Sequence, residues 1–214
     1  MACLAAPASA GMPFPPGGPD LPPGSVQTPL GRGTRLYGMP VDVRLLDMPV
    51  PVSQAISMLA ARYPVLSDLG VYAGQAVLSG QAAGRFWVAV LEPAGPRRTR
   101  GSLSVLATAA GAGAVRRPGW LPANARLRLD FDIDDDGRPS TQQIWTLALP
   151  VASAWRVVAE GLRREGWRAD PVASDPAKSA VGRWARGRTR LQVTIAAADG
   201  GSGILLQQQD EATP

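Results

Sequence analysis

The chain has 214 residues, a formal net charge of +5, 45% hydrophobic residues, no histidine and a single cysteine, Cys3. That apolar share predicts packed structure over most of the length. The missing histidine and lone cysteine exclude Ser-His-Asp and Cys-His nucleophile systems, histidine metal sites, structural zinc and intrachain disulfides.

No apolar run approaches the roughly 20 residues that a membrane-spanning helix needs. Among the basic residues only Lys178 is lysine; the arginines are dispersed, and five aspartates between Asp130 and Asp136 oppose them. Nucleic acid is therefore not an expected partner.

Residues 1–10, MACLAAPASA, read as the end of a secretory signal. Cys3 to Ala8 is small and apolar, and Ala8-Ser9-Ala10 obeys the small-x-small rule before a cut at Gly11. Residues 11–33 read as a Pro/Gly-rich linker. Missing donors and backbone entropy predict neither helix nor sheet there.

A first periodic unit spans 34–110. It opens with the strand candidates TRLYG and VDVRLL. Val52, Ile56, Leu59 and Tyr63 then form one helical stripe, with Pro51 in the first turn and Pro64 as the stop. Three apolar, glycine-punctuated stretches follow as strands: GVYAGQAVLSG, GRFWVAVLEP and GSLSVLATA. Residues 111–124 read as a connection, with Trp120 packed against one unit.

The second unit, 125–209, repeats the order. RLRLDFDI and STQQIWTLAL form a hairpin, and Val151, Trp155, Val158 and Leu162 form a helical stripe ended by Gly166 at C′. The strands SAVGRWAR, RTRLQVTIA and ILLQQQ complete it. Glycine-anchored alignment sets Gly84 on Gly187, Val90 on Val193 and GSLSVL on GSGILL, which points to an internal duplication. The expected fold class is α+β: two similar helix-on-antiparallel-sheet units in tandem.

The acidic stretch carries the one metal candidate. Asp132, Asp134, Asp136 and Gly137 have D-x-D-x-D-G calcium-loop spacing, but position twelve is Gln143 instead of a bidentate glutamate. Leu127, Leu129, Phe131 and Ile133 alternate with Arg128, Asp130, Asp132 and Asp134. That alternation predicts a strand with one wet face, and aspartates that need no ligand to account for them. Calcium is the alternative to a plain hairpin tip; no other cofactor is implied.

An interaction surface is the other candidate. Arg85, Trp87, Arg183, Trp184 and Arg186 occupy corresponding strands, and one sheet face displaying them would suit a protein or glycan partner; core packing is the competing role for the tryptophans. ILLQQQ, as an edge strand, would accept a partner strand. The expected function is that of a non-catalytic exported protein, periplasmic or secreted, serving as an interaction module or accessory of a bacterial cell-envelope or secretion assembly. The alternatives are a calcium-dependent binding protein and a carboxylate-based glycan hydrolase.

Overall fold

A computed structural model describes residues 21–108, 115–135, 138–170 and 179–210. The expected signal and the linker up to residue 20 fall outside them. The described residues contain thirteen strands and two helices. This is a largely antiparallel β fold, which corrects the expected α+β class.

Three strands were not anticipated. β1 (Val26–Pro29) lies inside the proline-rich linker, where its proline sits in an outer strand paired only to one neighbour. The stretch GVYAGQAVLSG divides into β4 (Asp68–Tyr72) and β5 (Gln75–Ala82), because Ala73 and Gly74 both take positive φ and turn the chain. β10 (Arg168–Asp170) is three residues long and carries no hydrophobic pattern.

The remaining strands are β2 (Arg32–Leu36), β3 (Met39–Met48), β6 (Arg85–Gly95), β7 (Arg98–Ala107), β8 (Arg126–Asp135), β9 (Arg138–Leu147), β11 (Ser179–Arg186), β12 (Thr189–Ala198) and β13 (Gly201–Asp210). Helices α1 (Val52–Arg62) and α2 (Val151–Arg164) each start after a proline, Pro51 and Pro150, which cannot continue a helix backwards.

The chain divides into two compact units. Among the described residues, the first holds 21–29 and 42–108; the second holds 30–41 and those from 115 onward. In the first, the strand order is β1-β3-β7-β6-β5-β4; in the second it is β2-β8-β9-β13-β12-β11-β10. One connectivity occurs twice. The strand before the helix pairs with the last strand of its unit, and four strands after the helix form a meander.

In the first unit α1 lies on β5, β6 and β7, and Ala55 and Leu59 meet Leu78, Ala89, Leu91 and Leu103 in the core. In the second, Ala154, Val158 and Leu162 of α2 meet Val193, Ile195, Ile204 and Trp145. Trp120 belongs to this second core. Its carbonyl lies where a Cβ on Gly161 would come within 2.4 Å, so the helix admits the connection only through a glycine. Gly166 (φ +80°) ends α2 in a Schellman motif, with Trp167 N–H donating to the Leu162 carbonyl at 3.0 Å and Gly166 N–H to the Arg163 carbonyl at 3.0 Å.

A buried hydroxyl performs the same task in each unit. Thr99 of β7 donates to the Val50 carbonyl at 2.7 Å, and Ser202 of β13 donates to the Leu149 carbonyl at 2.6 Å. Both carbonyls immediately precede the proline that opens the helix, so the last strand fixes the helix entry. The burial phase also corrects the glycine-anchored alignment. Val90 is half-buried while Val193 is fully buried; the residues in phase are Ala89 with Val193 and Leu91 with Ile195.

Candidate functional site

In the second unit, α2 and the core cover one face of the sheet. The opposite face carries the side chains of alternate residues from five consecutive strands. Register sets Gln142 beside Gln207, Gln207 beside Gln192, Gln192 beside Arg183, and Arg183 beside Asp170. These five residues form a row perpendicular to the strands and line a groove of about 480 Å³. Ser140, Gln209 and Arg190 line the same groove from the next row.

On the other flank the rows turn apolar: Leu129, Ile144, Leu205, Thr194 and Val181 are successive cross-strand neighbours, all half-buried. This face of the sheet is therefore amphipathic. Its polar row offers amide donors and acceptors, one guanidinium and one carboxylate, with Gln192 already donating to Gln207 at 3.4 Å. Among the described residues lining the groove, no hydrogen bond joins a nucleophile to a base.

Comparison with protein-family models, with curated proteins and with solved structures found no match. The residues and their geometry alone carry the functional reading.

Both tryptophans of the expected interaction surface lie in hydrophobic cores. Trp87 and Trp184 are buried in the first and second cores respectively, so neither is displayed. Trp87 lies against Tyr63, ring centroids 5.3 Å apart, and the Arg163 guanidinium sits 5.8 Å from the Trp184 ring. Arg186 is engaged within its own unit, 4.7 Å from the Trp167 ring centroid and 3.6 Å from the Glu165 carboxylate. Arg85 is half-buried on β6. Of the five, only Arg183 reaches the groove by its side-chain face. β13 is also not an edge strand: it lies between β12 and β9, so ILLQQQ has no free side for a partner strand.

The aspartates are placed differently from the alternation expected for them. A bulge between Leu127 and Leu129 inserts Arg128 as an extra residue. Beyond it the faces exchange. Asp130 now stands opposite Gln143 on the core side, and Leu129 and Phe131 turn to the open side.

Asp130 is 4% exposed and accepts from Gln143 Nε2 at 2.7 Å; Gln143 Oε1 accepts from Trp145 Nε1 at 3.2 Å. Burial raises the Asp130 carboxyl above the ordinary range. The Gln143 hydrogen bond pulls the other way, and the Asp132 charge adds to the rise.

Asp132 accepts from the Thr141 hydroxyl at 2.6 Å. Asp136 and Gly137 lie outside the described residues. Among the described residues no group of three or more His, Cys, Asp or Glu side chains stands close enough to hold a metal. Asp132 thus has a partner within the sheet, while the calcium alternative, which also needs Asp136, lies partly outside the described residues.

The groove residues carry a signal that is legible in the sequence. STQQIW, RLQVTI and ILLQQQ each carry glutamine in strand context, and period-two alternation places Gln142, Gln192 and Gln207 in equal phase. The register that lines them up is a property of the sheet, not of any one strand.

Proposed function

We propose that this chain is a non-catalytic, exported interaction module of a bacterial cell-envelope or secretion assembly, and that it holds a protein partner on the open face of its second sheet. The observation that carries this reading is the cross-strand row Gln142–Gln207–Gln192–Arg183–Asp170 beside the apolar row through Ile144 and Leu205. An apolar strip flanked by satisfiable hydrogen-bonding groups is the anatomy of a protein interface.

Export is supported by the small-x-small segment before Gly11 and the proline-rich stretch after it. No helix among the described residues is long and apolar enough to cross a membrane. The missing histidine and the absence of a nucleophile–base pair in the groove favour binding over catalysis.

The test places a photo-crosslinking residue at Gln192 and, as a control, at Arg156 on α2. Crosslinks to one envelope protein from position 192 and not from 156, in the periplasmic fraction, are expected. Equal labelling from both positions, or an intact Met1 in the cytosolic fraction, would reject the proposal.

A further inference from the structure

The sheet of the first unit ends at β4. Its counterpart in the shared connectivity is β10, which ends the sheet of the second unit. The two edges are built in opposite ways. β10 is three residues long, all exposed, with Arg168 and Asp170 at its ends, the usual means of blunting an edge.

β4 is five residues long, and its Leu69 and Val71 are 53% and 73% exposed. Their cross-strand neighbours Leu78 and Ala76 are 1% and 7% exposed. Two inner rows, Leu103–Ala89–Leu78–Leu69 and Gly101–Leu91–Ala76–Val71, therefore run from the core to an uncovered edge. A strand edge also presents main-chain donors and acceptors, which a second strand satisfies.

We infer that β4 is the contact through which two copies of this chain pair, antiparallel, about a twofold axis at Gly70. A twofold contact must be its own complement, and the sequence Asp68-Leu-Gly-Val-Tyr72 is. Reversed against itself, it sets Leu69 opposite Val71 of the second copy and Val71 opposite that copy's Leu69. Gly70 meets Gly70, and Asp68 meets Tyr72, so the one charge of the strand never faces its own copy. Both apolar pairs fall on the inner face and continue the two core rows of one unit into those of its copy. A slip of one residue would instead oppose inner-face to outer-face side chains, so the register is set by the same pattern.

Sedimentation equilibrium of the full chain tests the inference. The wild type is expected at twice the 22.3 kDa chain mass. Val71→Lys is expected at the single-chain mass with an unchanged circular dichroism spectrum. In a Cys3→Ser background, Leu69→Cys chains mixed with Val71→Cys chains should crosslink on oxidation, since directly opposed residues have Cβ atoms about 5 Å apart. Neither variant alone should. A wild type that stays monomeric, a Val71→Lys dimer, or crosslinking as strong in the unmixed samples would each overturn the proposal. A dimer without the mixed crosslink would do the same.

Discussion

Asp130 shows how much one inserted residue decides. Strict alternation puts it in water; the bulge at Arg128 puts it under the sheet. Its folded carboxyl is raised, so the folded state holds a proton that the unfolded state has released. Stability contributed there falls as pH rises from the ordinary aspartate value, about 3.9, through the raised one, and is level above it. Asp130→Asn keeps an Oδ1 acceptor for Gln143 and carries no charge. Its melting temperature relative to wild type should climb across that same acidic window and then plateau. A difference flat with pH would show that Asp130 is not the titrating group.

Each helix owes its entry angle to a hydroxyl on a distant strand. Thr99 and Ser202 are buried, and each satisfies a carbonyl that precedes a proline, where no helical N–H is on offer. Removing one hydroxyl strands its buried carbonyl, at about 1–3 kcal/mol. Thr99→Val and Ser202→Ala should each lower urea stability by that order, whereas Thr194→Val, on the open face, should change it little. Equal effects at all three would mean the clamp is unimportant. These helix stripes were readable from spacing: Leu59, Tyr63, Val151, Val158 and Leu162 are buried as expected. The hydroxyl partners were not, because nothing local to Thr99 or Ser202 names a carbonyl some 50 residues away.

Across the whole chain, the units are not contiguous in sequence. Residues 30–41 belong with the second unit, where Leu36 stands opposite Phe131 and Tyr37 N–H donates to the Asp130 carbonyl at 2.8 Å. A fragment of residues 110–214 lacks β2 and leaves β8 as an unpaired edge. That fragment is expected to be less stable or to aggregate, and a synthetic peptide of residues 30–41 should bind it and raise its melting temperature. A fragment equally stable with and without the peptide would count against this grouping.

Composition and spacing alone determined what the chain lacks and where its two helices lie, because missing residue types and an apolar stripe are local properties. They also marked Gly166 as a helix end and the 126–133 and 140–149 segments as a hairpin. The class of the fold, the side on which the aspartates stand, and the alignment of Gln142, Gln192 and Gln207 into one groove were settled only by tertiary structure. Strand pairing, register and a bulge join residues far apart in the chain, and a shift of one position reverses every side chain from one face to the other.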